Sequence, residues 1–304
     1  MVVTHHPAQR VAKTILPWLM IYGIMVGVSA VVRVPGSDWV HHWQPRFEIN
    51  AYPPWIELLL FLLPGLPFLS GLTLTALLLA LRLRRANHWH ILAAFSAMPL
   101  FWTLWLGQID AVPLLGLISL PWGLPLVLLK PQVAIWYVWS WWRKRPDRWL
   151  IALVGVAFLG STLLIWGWWP GRFSAPAAYR TVYDLSAWRL HWILGATALL
   201  GALLESDPDR AMALGALAAP YIQGASYFVL LPTLARLSGW PLLVVWLTSW
   251  AGTAALFFGD AARPLAALFP LALWTALRWT SNRRPFLANA QVDGARQAYD
   301  TKTV

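Results

Sequence analysis

The sequence predicts an all-α protein that crosses a bilayer many times, and three observations carry that prediction. Of 304 residues, 59% are hydrophobic and only 12% are charged, about half the charged fraction of an ordinary soluble domain. The apolar residues fall in long runs, several reaching the 18 or so residues that read as a membrane-spanning helix. These runs are continuous and rich in Leu and Ala, without the period-2 alternation of a barrel strand. Because backbone groups in lipid must be hydrogen-bonded internally, helices are then the remaining solution. We expect one membrane domain over residues 1–279, with about ten to twelve helices including short ones broken by proline. A polar, basic tail over 280–304 is expected to be disordered on the inner side.

The elements follow in order from the apolar runs and the basic residues between them. Arg10 and Lys13 precede a run from Ile15 to Val32, too long for the core of a signal peptide and followed by no small-residue cleavage site, so it reads as a signal anchor. Residues 33–54 form a polar loop. Residues 55–81 are apolar again, interrupted by Pro64 and Pro67, and end on Arg82, Arg84 and Arg85. Trp89–Leu106 forms the next span. The stretch from residue 109 to the basic group Arg143, Lys144, Arg145 and Arg148 contains Pro113, Pro121, Pro125 and Pro131, and fits three short proline-broken helices. Trp149–Gly167, Arg189–Leu204, a broken pair over 211–235, Trp240–Phe258 and Pro264–Trp279 complete the membrane part. On this path 16 of the 23 Lys and Arg lie inside and seven lie at or beyond the outer face. The positive-inside rule therefore puts both termini inside and the loops 33–54 and 168–188 outside.

The same distribution explains the net charge of +11. No basic stripe interleaves with exposed aromatics, so nucleic acid is not the expected partner. Cysteine is absent, which removes disulfides, thiolate metal sites and a Cys nucleophile. The 23 tryptophans read first as interface anchors.

Polar groups capable of chemistry gather at the outer face. The first outer loop holds Asp38, His41, His42, Arg46, Glu48 and Tyr52, and Gly107-Gln108-Ile109-Asp110 and Lys130-Pro131-Gln132 reach the same side. An ionisable group within a membrane costs around 2.5–3.5 kcal/mol on insertion scales and marks a functional site by default. Lys130 is the one lysine within the apolar body. Three plainer roles stand beside that reading: Lys130 snorkelling from a helix end, Asp110 pairing with Lys130 or capping a helix, and His41 and His42 as surface residues. Adjacent histidines on an extended segment point apart, so no metal site is expected there.

At these residues the sequence resembles the bacterial GT-C glycosyltransferases that use a polyprenyl-phosphate sugar, in particular the α-1,2-mannosyltransferase-like branch. The resemblance runs over residues 38–232. It comprises Ser37-Asp38-Trp39 with Tyr52-Pro53-Pro54, and Trp105-Leu106-Gly107-Gln108-Ile109-Asp110, where the family has Gly-Gln-hydrophobic-Asn. It continues with Leu128-Leu129-Lys130-Pro131-Gln132 and with Pro220 followed by Ser226-Tyr227. It implies a GT-C-like fold in the bacterial cytoplasmic membrane and transfer of a mannose-like sugar to a lipid or glycan acceptor at the outer face, with no cofactor. Asp38 would be the general base. Lys130 would meet the donor phosphate, with Gln108, Asp110 and Tyr52 on the donor side and Ser226, Tyr227, His41 and His42 on the acceptor side. Trp39, Trp43, Trp102 and Trp105 offer stacking faces for a sugar. The chain is shorter than the family pattern and lacks the His that commonly follows Ser226-Tyr227. Two alternatives therefore stay open: a non-catalytic subunit packed against membrane-protein partners, and a transporter of an anionic lipid or solute.

The expected orientation is testable because the chain has no cysteine of its own. A Ser37→Cys variant should react with a membrane-impermeant thiol reagent from the outer side only; labelling from the inner side alone would reverse the topology.

Overall fold

The computed structural model describes residues 7–33, 35, 36, 39, 53–170 and 185–280. Among them there is no strand. The first span is α1 (Pro7–Val32). Pro64-Gly65 divides the second into α2 (Ile56–Leu62) and α3 (Leu66–Leu83). The third is α4 (His88–Phe95) and α5 (Met98–Leu106), bent by 46° between them. The proline-rich stretch gives the three expected pieces, α6 (Ala111–Ile118), α7 (Leu124–Val127) and α8 (Pro131–Arg143). Then come α9 (Arg148–Trp166), α10 (Ala187–Leu190), α11 (Trp192–Leu204), α12 (Pro208–Ala218) and a 3-10 helix over Gly224–Arg236. The last elements are α13 (Trp240–Ser249), α14 (Ala254–Phe258), a 3-10 turn over Gly259–Ala267 and α15 (Leu268–Trp279).

The described residues thus form 15 α-helices rather than ten to twelve, because breaks cut several expected spans in two. Three helices are long and apolar enough to cross a membrane, Ile15–Val32, Leu66–Leu83 and Arg148–Trp166, and the bent α4–α5 pair makes a fourth. Arg189–Leu204 is interrupted where His191 is extended. Trp240–Phe258 stops at Ser249, and a short 3-10 turn precedes α14. Pro264 lies in a 3-10 turn, so α15 begins only at Leu268. A 13-residue helix such as α11 spans about 20 Å, short of the roughly 30 Å hydrocarbon core.

The large apolar core is built from α3–α8, α12, α13, α15 and the 3-10 helix between α12 and α13, with Tyr137, Phe228, Phe269, Leu77 and Leu81 all at most 1% exposed. A second cluster gathers Trp39, Trp55, Ile56, Leu69, Ile109, Val112, Leu129 and Trp169. By contrast α1 and α9 lie at the periphery. Ile24, Met20, Leu153, Leu164 and Ile165 stand exposed along them, as expected of lipid-facing surface. Close approach of α1 to α3 depends on Gly71, where a Cβ would lie 2.5 Å from Val26 Cγ2 and 2.9 Å from its backbone nitrogen.

Helix ends sort into two layers. At one end, Arg84 after α3 binds both carboxylate oxygens of Asp209 at 2.9 and 2.6 Å, and Arg236 binds Asp207 at 2.8 Å and Asp209 at 2.9 Å. Ser140 of α8 donates to Ser206 O, and His90 at the start of α4 bonds Leu237 O, on the same side. In the neighbouring loop Arg145 donates to both oxygens of Asp147. That hydrogen bonding holds the Asp147 carboxyl below the usual carboxylate range, and leaves the residue at the N-cap of α9 making no cap bond. The opposite layer contains the start of α3, the end of α5 and the start of α8. The 18 residues of α3 connect the layers over about 27 Å, close to the thickness of a hydrocarbon core.

Several tryptophans do more than mark an interface. Indole N–H groups donate to backbone carbonyls at helix ends: Trp188 to Ala218 O at 2.8 Å, Trp139 to Leu203 O at 3.1 Å and Trp250 to Ser96 O at 3.2 Å. Trp188→Phe keeps most of the ring but strands the Ala218 carbonyl, an unmet acceptor worth about 1–3 kcal/mol. Thermal unfolding in detergent should show that loss, whereas Trp122→Phe, at an indole 79% exposed, should stay within about 0.5 kcal/mol of wild type.

Candidate functional site

The buried amine of Lys130 is the centre of the layer opposite the arginine cluster. Its Nζ lies 2.7 Å from Asp110 Oδ2 and 3.1 Å from Gln108 Oε1. The Lys130 and Asp110 side chains are only 4% and 2% exposed, and Gln108 is 5% exposed. Lys130 therefore does not snorkel to an interface. Asp110 occupies the N-cap position of α6 without a cap bond from its side chain, because its carboxylate is directed at Lys130.

The local sequence explains why these three groups meet. Gly107 ends α5 in the left-handed region at φ +69°. Its N–H bonds Leu104 O at 3.2 Å and the Gln108 N–H bonds Thr103 O at 3.0 Å, the paired bonds of a Schellman ending. The chain then turns so that Gln108 and Asp110 precede α6. Lys130 stands before Pro131, and a residue before proline is disfavoured in the α region. Its backbone accordingly lies at φ −143°, ψ 75°, which stops α7 and lets Pro131 open α8.

The entrance to the first loop packs on this turn. A Cβ at Gly107 would lie 2.9 Å from Trp39 Cβ and 3.2 Å from Gly36 Cα, so these backbones approach as only glycine allows. Trp39 is 7% exposed and shares a cluster with Ile109 and Leu129, the neighbours of Gln108, Asp110 and Lys130. It is a packing residue and not an open stacking face. Trp105, by contrast, is 48% exposed.

Asp38, His41, His42, Trp43, Glu48 and Tyr52 lie outside the described residues. Ser226 and Tyr227 are each 4% exposed, within the 3-10 helix after α12. Tyr227 belongs to the large core and makes an edge contact with Phe269 at 5.8 Å. The segment reaches the Lys130 region through α5, where Thr103 Oγ1 donates to Pro99 O at 2.7 Å and to Ala225 O at 3.2 Å. Among the described residues no group of three His, Asp or Glu has the geometry of a metal site.

Two features escaped sequence reasoning. Gly107 reads in the sequence as part of a motif, whereas its position against Gly36 and Trp39 is set by packing. The arginine–aspartate cluster reads only as basic residues and a polar loop. Asp207-Pro208 does carry the signature of a helix start, and Asp207 Oδ1 accepts from Asp209 N at 3.0 Å and Arg210 N at 3.1 Å, but nothing local pairs it with Arg236.

Comparison of the chain with protein-family models, with curated proteins and with solved structures finds no match. The geometry of the site therefore carries the functional argument.

Removing one partner of a buried ion pair costs about 3–5 kcal/mol, whereas replacing both by apolar groups is often neutral. Lys130→Met alone should lower the unfolding temperature, and the double variant Lys130→Met/Asp110→Leu should recover most of the loss.

Proposed function

We propose that this chain is a membrane glycosyltransferase of the GT-C type, moving a sugar from a polyprenyl-phosphate donor to an acceptor at the outer membrane face. The observation that carries the reading is the buried Lys130 amine, held by Asp110 and Gln108 directly beside the packed entrance of the first loop. A cation at this depth costs several kcal/mol unless it is compensated. An ammonium has three hydrogens, and Asp110 and Gln108 accept two of them. The third is suited to a phosphate oxygen, and the free N–H groups at the start of α8 favour the same anion.

In this reading Lys130 stabilises the charge that develops on the phosphate as the sugar–oxygen bond breaks. Asp110 holds the Lys130 amine in place, and Gln108 positions it or bonds a sugar hydroxyl. Asp38, between Gly36 and Trp39 in the chain, takes the proton of the acceptor hydroxyl as that oxygen attacks the sugar carbon. Tyr52, His41 and His42 complete the loop side. Ser226 and Tyr227 act from the 3-10 helix on the acceptor side. The donor's polyprenyl chain stays in the bilayer throughout.

The reading is tested by turnover of a polyprenyl-phosphate sugar at saturating donor. Asp38→Asn should lower it about 10²–10⁴-fold, the usual effect of losing a general base, while donor binding persists. Glu48→Gln, in the same loop, should keep wild-type turnover. No donor turnover by the wild-type chain would favour the non-catalytic subunit, with Lys130–Asp110 serving only to join helices.

A further inference from the structure

A cavity of about 450 Å³ lies between α4 and α13, at the bundle end that carries the arginine–aspartate cluster. This volume is within the range of ligand clefts, and none of the residues of the proposed transferase site lines it. Its lining changes character along its length. Asn87 and Ser238 stand where the two helices begin, whereas Ala93, Leu242, Leu243 and Trp246 line it one to two turns further along them.

The polar groups of the walls are largely engaged with one another. Asn87 Oδ1 accepts from Trp89 N at 3.0 Å and His90 N at 3.2 Å, and the Asn87 N–H donates to His90 Nδ1 at 3.1 Å. With Nδ1 accepting, the His90 ring presents its Nε2–H to Leu237 O at 2.6 Å. At the far end Ser96 donates to Leu92 O at 2.7 Å and accepts from Trp246 Nε1 at 3.0 Å. Away from the helix starts the walls thus offer apolar surface, and the occupant must be apolar there.

The same end of the bundle carries the complementary charge. Arg82, in the last turn of α3, and His88, at the first position of α4, are exposed there, flanking Asn87 in the chain. No acidic residue occurs anywhere in 71–106 or in 237–259, so both walls and their flanks carry only positive or neutral groups. Trp89 and Trp240, 60% and 69% exposed at the starts of the two helices, are of the type that sits at head-group level.

We propose that this cleft is a binding site for one anionic phospholipid of the adjacent leaflet. An acyl chain fills the space between α4 and α13, and the phosphate head group lies at the mouth beside Arg82 and His88. A zwitterionic lipid would fill the cavity equally but gain less from the cationic rim.

Native mass spectrometry of the full chain tests this. The protein is released from nanodiscs containing phosphatidylglycerol and phosphatidylcholine in equal amounts. Wild type should retain one phosphatidylglycerol in preference to phosphatidylcholine. Ser238→Glu, at an exposed position, should leave the fold intact and weaken retention of phosphatidylglycerol roughly fivefold, the effect of one charge near a head group. Ala93→Phe, which fills the cavity, should remove retention of both lipids. Equal retention of the two lipids by wild type, or phosphatidylglycerol retention unchanged in Ser238→Glu, would overturn the proposal. Co-release of a protein partner in place of lipid would overturn it as well.

Discussion

Hydrocarbon offers no hydrogen bonds, so a helix that stops within a bilayer needs its free N–H and C=O groups met by protein. This constraint governs the whole molecule, because the chain stops its helices often. The α4–α5 bend is closed from α13: Trp250 donates to Ser96 O, Trp246 to Ser96 Oγ, and Met98 N donates to Ser249 Oγ at 3.4 Å. The end of α12 is closed by Ser186, donating to Ala219 O at 2.7 Å, and by Trp188, donating to Ala218 O. Arg143 and Trp139 both donate to Leu203 O at the end of α11. Indole suits this task because it carries a single donor on a large apolar body. That gives the high tryptophan content a second cause beside interface anchoring.

Charge obeys the same rule. Asp209 is fully buried yet faces two guanidinium groups, and Lys130 is buried yet faces a carboxylate and an amide. A buried ion pair is weak evidence of net stabilisation, since desolvation offsets much of the attraction. What such pairs supply here is placement. Each fixes helix ends that the sequence separates widely, α3 to α12 and the 3-10 helix in one layer, and the turn before α6 to the start of α8 in the other. The two clusters differ in chemistry. The first shares two carboxylates between two arginines, with both Asp209 oxygens bound by Arg84 and Arg236 reaching Asp207 and Asp209. The second holds a compact ammonium between one carboxylate and one amide oxygen beside a loop entrance.

Much of the fold is legible from local chemistry. Apolar run length fixes α1, α3 and α9 as spans, and proline fixes the breaks at Pro64 and through 109–142. Gly107 and Pro131 mark the ends that bring Gln108, Asp110 and Lys130 to one side. Basic residues assign the layers, since Arg84 and the Arg143–Arg148 group fall together in space as the charge rule expects. These features depend on residues near in sequence, or on the bilayer acting on each segment separately. They need no knowledge of neighbours.

Tertiary structure decided the rest. That Lys130 is paired rather than snorkelled depends on α6 and α8 meeting at their ends, which no spacing encodes. That Trp39 is buried depends on two glycines, Gly36 and Gly107, approaching from segments some seventy residues apart. The weaker spans near 192–204, 240–258 and 264–279 are apolar enough to read as full crossings, yet the chain breaks them at His191, Trp250 and Pro264. Sequence alone determined which segments prefer lipid and where the backbone is inclined to break. Packing alone determined which breaks are satisfied, because a hydrogen-bond partner brought from another helix is a long-range fact.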